Sequence, residues 1–392
     1  MVIRSVDQVQ IEGRRVLVRV DFNCPLEGGK VADDTRIRAA LPTIRHALKA
    51  RAKVVVVSHL GRPKGEPDPR FSLEPVGLKL AELLQADVVL ADDCVGDGAR
   101  KVVSDLYGGR IAMLENLRFN PGEKGRSEKF AAELASFGDV YVNDAFGVSH
   151  RGDASVALLP RLLEERCAGF NTMKELEALG RLLGDVKRPY TAILGGAKIS
   201  DKIKVVQAQL EHIDTLIVGG AMANTFLAAR GHSMGRSLVD EDSFVHARVV
   251  IEESRRRSVR ILLPVDLVVS GGPEDGACEI VSVDGVPDDK MALDVGPVTL
   301  EAFSAEIEKA GTIFWNGPMG LFERSPFDAG TVAVAEAVGR SVSFSVVGGG
   351  DSVAAIKQSR LESRFDHIST GGGASLALVG GQEMPGLMAL ED

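Results

Sequence analysis

Polar residues with anion-binding chemistry follow several short apolar runs in the first half of the sequence. A lone arginine is usually a surface residue, but four arginines with two histidines indicate a pocket for a ligand with carboxylate and phosphate groups. The histidines are interpreted as hydrogen-bond donors, and general acid–base residues are the alternative. Neither a Ser-His-Asp order nor a nucleophile elbow occurs, so no covalent intermediate is indicated. The candidates are Asp21, Asn23, Arg36, His59, Arg62, Arg118, His150 and Arg151.

The second half instead carries glycine-rich turns after its apolar runs. The common nucleotide motifs GxxxxGK[ST] and GxGxxG are both absent. One glycine turn after a strand is weak evidence, but four at one sheet edge predict that at least two bind phosphate at helix N-termini. The turns are Gly195-Gly196, Gly219-Gly220, Gly348 to Gly350 and Gly371 to Gly373.

Two lysines and two acids accompany these turns. Lys198 and Lys202 are four residues apart at the expected start of a helix, where two ammonium groups oppose the helix dipole unless an anion neutralises them; a solvated face is the alternative. Asp351 follows Gly350, either as an ordinary N-cap or as a ligand for Mg²⁺ beside phosphates. Glu323 is either a ribose-binding residue or a solvated acid.

The elements that position these residues alternate between strands and helices. Each β-branched run ends in Gly, Asn, Asp or His before a helical pattern, which predicts βαβ units and parallel sheets that bind ligands at the carboxyl edge. The predicted strands are 16–20, 54–57, 140–142, 191–194, 216–218, 312–315, 343–347 and 368–369.

The middle of the chain, residues 171–184, has helical spacing of apolar residues and no strand pattern. Thr172 and Glu175 form a capping-box pattern, and Pro189 follows soon after. We interpret this segment as a helix that joins two domains; a surface helix of one domain is the alternative.

Length, charge and cysteine content narrow the class of protein. A chain of 392 residues exceeds what one core usually supports, so two domains are expected. The net charge of −9 argues against a nucleic-acid or membrane surface. The N-terminus has no apolar signal region, no apolar run is long enough to span a membrane, and four scattered cysteines suit reduced thiols in a cytoplasm.

Taken together and in this order, the motifs resemble those of the phosphoglycerate kinase family over essentially the whole chain. SHLGRP, FWNGPMG and the lysine segment are highly specific in combination. The matching segments are RVDFNCP, DDTRIRAALPTI, SHLGRPKG, LENLRF, NDAFGVSHR, GGAKISDKI, FWNGPMGLFE, GGGDS and STGGGASL.

The resemblance implies a glycolytic kinase that transfers a phosphoryl group reversibly from the acyl phosphate of 1,3-bisphosphoglycerate to ADP, with Mg²⁺. It implies an α/β fold of two doubly wound, Rossmann-like parallel-sheet domains that close about a hinge helix. Residues 1–170 would bind 3-phosphoglycerate, 171–184 form the interdomain helix, 185–375 bind nucleotide, and 376–392 return to the first domain. The family pattern also implies a cytoplasmic monomer without nucleic-acid or membrane partners.

The family pattern assigns a role to each candidate. Catalysis would fall to Arg36, Lys198, Lys202, Gly371 and Gly372, and the metal to Asp351. The glycerate substrate would contact Asp21, Asn23, Arg36, His59, Arg62, Arg118 and Arg151. The nucleotide would contact Lys202, Gly219, Gly220, Gly296, Asn316, Glu323, Gly349, Gly350, Asp351 and Ser352.

One departure from the family pattern bears on substrate binding. After His150-Arg151 the family usually has a small residue and another histidine, whereas this chain has Gly152-Asp153. A carboxylate beside Arg151 would compete for the guanidinium and raise the KM for 3-phosphoglycerate.

Two other functions account for part of the sequence. A Rossmann-type dehydrogenase would explain the alternating strands and helices, but the sequence lacks the GxGxxG motif and the downstream acid of such enzymes. A non-catalytic phosphosugar-binding protein would explain the arginines but not the second site with paired lysines and Asp351.

Overall fold

A computed structural model describes residues 3–184, 186–197 and 202–391 of the chain. The chain forms two compact units. The first contains residues up to Glu177 together with those from Glu383 onward, and the second contains Ala178–Gln382. Each unit has a six-stranded, wholly parallel sheet with helices packed around it, which confirms the predicted fold class.

The first unit is built on a sheet with strand order β5-β6-β4-β1-β7-β8, and a short β2-β3 hairpin follows β1. Its strands are β1 (Arg15–Val20), β2 (Leu26–Glu27), β3 (Lys30–Val31), β4 (Lys53–Val57), β5 (Val88–Leu90), β6 (Ile111–Met113), β7 (Val140–Asp144) and β8 (Glu165–Ala168). Its helices are α1 (Thr35–Lys49), α2 (Glu74–Leu84), α3 (Asp97–Ser104), α4 (Pro121–Lys124), α5 (Glu128–Ala135) and, near the C-terminus, α14 (Pro385–Met388).

The central strands of this sheet are buried on both faces, which explains their near-continuous apolar sequence. Side chains alternate between the two faces, so Val16, Val18 and Val20 of β1 enter one core cluster while Leu17 enters the other. Arg19 interrupts the apolar run and is completely buried on the same face as Leu17.

The second unit has strand order β11-β10-β9-β15-β16-β17 in its main sheet, and β12, β13 and β14 form a separate antiparallel sheet. Its strands are β9 (Tyr190–Leu194), β10 (Thr215–Val218), β11 (Arg260–Leu262), β12 (Asp266–Ser270), β13 (Cys278–Ser282), β14 (Met291–Val295), β15 (Thr312–Asn316), β16 (Phe344–Gly348) and β17 (His367–Ile368). Its helices are α7 (Ile203–Gln209), α8 (Gly220–Ala229), α9 (Phe244–Arg256), α10 (Pro297–Ile307), α11 (Ala329–Arg340), α12 (Gly350–Ser359) and α13 (Gly373–Val379).

The order of the main sheet in the second unit is the classic doubly wound arrangement 3-2-1-4-5-6. The topological switch point therefore lies between β9 and β15. The connection from β9 leads toward one side of the sheet, and the connection from β15 leads toward the other. In the first unit β1 has the corresponding position between β4 and β7. Ligands of open α/β sheets bind at the carboxyl edge beside such switch points.

The predicted helix in the middle of the chain is present as α6 (Phe170–Leu183), and the division between the two units falls within it. Its start differs from the capping-box prediction. The Thr172 hydroxyl has no hydrogen-bond partner, and the Thr172 N–H instead donates to the buried Asp144 Oδ1 at 3.1 Å. A carboxylate from the end of β7 thus stabilises the N-terminus of α6.

The C-terminal segment is part of the first unit. The Gly386 N–H donates to the Ser149 carbonyl, and the Asn143 side chain donates to the Gly386 carbonyl. The Arg166 guanidinium donates to the carbonyl of Glu391 at 2.8 Å. In the described part of the chain, no helix has the length and hydrophobicity that a membrane crossing requires.

Asp144 provides a test of the α6 N-terminus. Burial raises its pKa to about 6, although the hydrogen bonds that it accepts oppose the shift. The unfolded chain has an aspartate pKa of about 3.9, so the protonated form is favoured by folding, and this contribution is lost as pH rises through about 6. We expect the wild-type Tm, measured relative to that of Asp144→Asn, to fall between about pH 4 and pH 6.5 and then to level off.

Asp139→Asn is the matched control, because hydrogen bonds from Arg15 hold the pKa of Asp139 below its usual value. The stability that Asp139 contributes is present above its unfolded pKa and is lost in acid, so the Tm difference should change in the opposite direction. A pH-independent difference for Asp144→Asn between pH 4 and pH 6.5 would contradict the assignment of a raised pKa to this carboxyl.

Candidate functional site

The polar residues predicted for the first half converge at the carboxyl edge of the first sheet. Asp21 follows β1, His59 follows β4, and His150 and Arg151 lie just beyond the turn that follows β7. Because β1 pairs in parallel with both β4 and β7, these strand ends are neighbours at one edge. The switch point of this sheet is also located there, at the end of β1.

Direct contacts tie these side chains together. Arg36 Nη1 donates to Asp21 Oδ2 at 2.9 Å, and the Gly61 N–H donates to Asn23 Oδ1 at 2.8 Å. Arg118 Nη1 donates to the Gly61 carbonyl at 2.7 Å. Residues that are far apart in the sequence therefore form one polar cluster at this edge of the first sheet, called the arginine pocket below.

Two arginines in this group keep their guanidinium groups available. Arg62 is exposed and Arg151 is half-buried, and neither side chain makes a hydrogen bond or an ion pair with the residues that the structure describes. Arginine has five donors and no acceptor, so free guanidinium groups beside a pocket suit carboxylate or phosphate oxygens.

Two buried residues that the sequence did not single out hold the pocket loops. The Ser58 hydroxyl accepts from the Phe22 N–H at 2.9 Å and donates to the Val20 carbonyl, which ties the end of β4 to the end of β1. Asn116 Nδ2 donates to the Leu60 carbonyl at 2.8 Å, and its Oδ1 accepts from the Arg118 N–H. Ser58 precedes His59 in SHLGRP, and Asn116 lies two residues before Arg118 in LENLRF. This proximity to a candidate residue was the signal in the sequence that could have identified them.

Both histidines of the pocket favour the neutral form. Burial, followed by the positive charges of Arg19, Arg118, Arg151 and Arg36, holds the pKa of His59 well below its usual value. Burial and Arg151 likewise lower the pKa of His150, whose Nδ1 is buried without a hydrogen-bond partner. A neutral imidazole can donate one hydrogen bond to an anion, which suits the predicted role as a donor.

The ion-pair partner of Asp153 is Arg118, not Arg151 as was expected from the sequence. Its Oδ2 lies 3.7 Å from Arg118 Nη2, and the ion pairs of the described residues include none between Asp153 and Arg151. Asp153 is nearly buried, and its Oδ2 makes no hydrogen bond. The added carboxylate therefore pairs with Arg118, whose guanidinium also donates to the Gly61 carbonyl.

In the second unit, Lys202 lies at the switch point. Its Nζ donates to the carbonyl of Gly195 at 2.7 Å and to that of Asn316 at 3.3 Å, and these residues follow β9 and end β15. Helix α7 begins at Ile203, with Lys202 as its N-cap. Lys198 lies outside the described residues.

Backbone segments at this switch point approach too closely for side chains. A Cβ at Gly195 would lie 2.0 Å from the Pro318 carbonyl oxygen. Gly317 has φ +100°, and a Cβ there would lie 2.2 Å from the Gly195 carbonyl oxygen. Close packing of the two loops therefore requires glycine at both positions. The Gly317 N–H also donates to the buried Ser352 hydroxyl at 2.6 Å.

A cavity of about 570 Å³ opens beside these loops. Its lining includes Gly220, Glu323 and Asp351 together with apolar residues such as Leu238 and Phe322. A mainly apolar wall with a few polar groups at one end is typical of a site for a nucleotide-sized ligand.

Buried Asn316 supplies a free donor at this edge, because its Nδ2 has no hydrogen-bond partner. A Cβ at Gly349 would lie 2.8 Å from this Nδ2, so the amide points at the loop that begins α12. An unpaired buried donor is costly, which indicates that a ligand atom or water completes it.

The N-cap of α12 is Gly349, which excludes the interpretation of Asp351 as the N-cap. Asp351 is exposed, and its carboxylate makes no hydrogen bond with the described residues. In the described ranges no group of three or more His, Cys, Asp or Glu side chains could hold a metal alone. A free carboxylate beside the glycine turn at Gly348 to Gly350 fits Mg²⁺, which binds one or two carboxylates plus phosphate oxygens.

The remaining glycine candidates differ in position. Gly219 is the N-cap of α8, and Gly220 has φ +64° and lines the cavity. Gly296 is not among the lining residues, and a Cβ there would lie 2.3 Å from the Asp266 carboxylate, so packing explains this glycine. The helix expected near Gly371 and Gly372 begins at Gly373.

Comparison with known proteins gives a consistent result. The family model described as phosphoglycerate kinase matches residues 6–382. The phosphoglycerate kinase of Anaeromyxobacter dehalogenans is 53% identical over the full length of both chains, and that of Pelotomaculum thermopropionicum is 48% identical over 99% of each. The solved phosphoglycerate kinase of Coxiella burnetii superposes with a TM-score of 0.89 at 36% identity, covering 99% of this chain and 98% of that one.

Proposed function

Because the chain belongs to the phosphoglycerate kinase family, a family of glycolytic kinases, we propose that it transfers a phosphoryl group to ADP from an acyl phosphate. The donor is 1,3-bisphosphoglycerate, and the carboxylate of 3-phosphoglycerate is the acceptor in the reverse direction. The observation that carries the proposal is Lys202, whose ammonium group joins the two strand ends at the switch point beside a nucleotide-sized cavity.

The arginine pocket of the first unit is the proposed site for 3-phosphoglycerate. Arg62 and Arg151 supply free guanidinium groups for its anionic ends, and Arg36 donates from a position fixed by Asp21. His59 is neutral and donates a hydrogen bond. Asn23 and Arg118 hold the loop at Gly61 from two sides.

The cavity of the second unit is the proposed site for ADP or ATP. Lys202 faces the phosphates, Asn316 Nδ2 donates at the turn from Gly349 to Ser352, and Glu323 accepts from the ribose. Asp351 would hold Mg²⁺, which would neutralise charge on the phosphate oxygens when bound. Gly371 and Gly372 lie at the same sheet edge. The Gly371 N–H already donates to the Ser369 hydroxyl at 3.0 Å, so Gly372 would contribute its backbone N–H to the transferring phosphoryl group.

Transfer between oxygen atoms of phosphate and carboxylate needs no proton shuttle or covalent intermediate. Catalysis then consists of positioning and of charge stabilisation by Arg36, Lys198 and Lys202. The substrates bind to different units, so the reaction requires closure, and α6, in which the chain passes from one unit to the other, is the proposed hinge. A cytoplasmic monomer that binds only these small molecules is the form we propose.

The decisive experiment is a coupled assay of ATP with 3-phosphoglycerate. We expect Mg²⁺-dependent turnover that Arg36→Ala and Lys202→Ala each reduce by on the order of 10²–10³-fold in kcat, because each removes a preorganised positive charge. Arg38→Ala on α1 and Lys309→Ala in the turn after α10 are matched controls with exposed side chains and should retain activity. Absence of turnover in the wild-type protein would refute the proposed activity.

The proposed metal ligand has its own test. Asp351→Asn should raise the Mg²⁺ concentration that gives half-maximal activity by at least tenfold, because the amide loses the negative charge that attracts the cation. Asp288→Asn, at an exposed position outside the cavity lining, is the control and should leave the Mg²⁺ titration unchanged. Equal titration curves for the two variants would exclude Asp351 as the ligand.

Asp153 should weaken substrate binding by engaging Arg118. We expect Asp153→Asn to lower the KM for 3-phosphoglycerate several-fold with little change in the KM for ATP, because one carboxylate is removed from the arginine pocket. Asp87→Asn removes an exposed carboxylate of the same unit and should change neither constant. A KM for 3-phosphoglycerate that stays the same in Asp153→Asn would show that the carboxylate does not compete.

A further inference from the structure

Arg19 is a completely buried arginine near the C-terminal end of β1, next to the pocket residue His59 of the first unit. Its Nε donates to the Ser155 hydroxyl at 3.0 Å, and its Nη1 donates to the Val20 carbonyl. Its Nη2 lies 3.2 Å from His59 Nδ1. The side chain thus connects a strand of the core to a histidine of the pocket.

A buried carboxylate offsets the charge of this arginine. Glu123 Oε1 lies 3.9 Å from Arg19 Nη2, and the Glu123 carboxylate accepts hydrogen bonds from both the N–H and the hydroxyl of Ser155. A buried charge is retained only with such partners, since desolvation is expensive. The cost of the pair suggests a use beyond packing, because an apolar pair could fill the same space.

The hydrogen bond to His59 determines which ring nitrogen carries the proton. A guanidinium group can only donate, so His59 Nδ1 must accept from Arg19 and has no proton. The alternative partner, Asp21 Oδ1, would need a proton on Nδ1, but it lies 3.9 Å away, beyond hydrogen-bond distance. The proton of the neutral ring is therefore on Nε2, which makes no hydrogen bond with the described residues.

We propose that Arg19 is a positioning residue that fixes His59 as the neutral Nε2–H tautomer and so commits the ring to donate to an anionic oxygen of the substrate. This inference rests on the proposed binding of 3-phosphoglycerate in the arginine pocket. The inference excludes His59 as a general acid or base. A ring that Arg19 holds in one neutral tautomer neither takes up nor releases a proton during the reaction.

A purely structural role for Arg19 makes different predictions. In that case Arg19 would matter only because it holds Ser155 and the segment Ala154–Leu158 in place. Its replacement would then change stability and leave the tautomer of His59 alone. The tautomer is thus the readout that distinguishes the two roles.

The first measurement is a two-bond ¹H–¹⁵N correlation spectrum of the wild-type protein with labelled histidine, taken without substrate. His59 is assigned by the signal lost in His59→Gln. We expect the Nε2–H tautomer at pH 7, with the ring still neutral at a pH where an exposed histidine is protonated, because burial and the neighbouring arginines lower its pKa. An Nδ1–H tautomer or a doubly protonated ring at pH 7 overturns the proposal. The result does not depend on the kinase assay, so the proposal and the activity can fail separately.

The second measurement compares variants. Arg19→Met with Glu123→Gln removes the cation without leaving an unpaired buried carboxylate, and it should give mixed tautomers of His59. We expect the KM for 3-phosphoglycerate to rise about tenfold, which corresponds to about 1.4 kcal/mol, with kcat changed much less. Arg19→Lys retains a donor and should restore the Nε2–H tautomer.

Arg15→Met is the matched control, because it removes an arginine from the start of the same strand, where the guanidinium pairs with Asp139. It should leave both the tautomer and the KM unchanged. A double variant with the wild-type tautomer and KM would refute the positioning role. If the double variant does not fold, an Nδ1–H tautomer in the wild-type spectrum still refutes the proposal.

Discussion

Repulsion between arginine side chains is the constraint on which the first unit depends. Arg19, Arg36, Arg118 and Arg151 all lie close enough to His59 to lower its pKa, within a protein of net charge −9. Such a concentration of like charge is stable only if carboxylates and hydrogen bonds fix each group. Asp21, Glu123 and Asp153 form the ion pairs that fix these groups, and an excess of positive charge remains at this edge of the sheet.

The second unit places far fewer charges at its sheet edge. The strand ends at its switch point approach each other through Gly195 and Gly317, whose N–H groups donate to the Asn316 carbonyl and the Ser352 hydroxyl. Lys202 bonds two carbonyl oxygens there, which hold its ammonium group in place. Positioning by the backbone costs little reorganisation when charge develops, which is the requirement for electrostatic catalysis.

Much of this arrangement could be predicted from the sequence, because apolar β-branched runs define strands and the residues after them define the sheet edge. Strands of three residues such as β5 and β6, and the antiparallel β12–β14 sheet with its exposed β13, were missed because their patterns are short or half-polar. Asp144 replaced Thr172 at the start of α6 because a tertiary contact took precedence over a local pattern. Arg19 was detectable in principle, as a charge inside an apolar run, but its partners come from distant segments.

The return of the C-terminal segment to the first unit has a consequence for synthesis of the protein. On a ribosome, the residues from Glu383 onward emerge only after the whole of the second unit. The second unit can therefore complete its sheet while the first still lacks the contacts of Gly386 with Ser149 and of Glu391 with Arg166. The contacts between the first unit and its C-terminal segment are therefore the last to become available, although most of that unit is synthesised first.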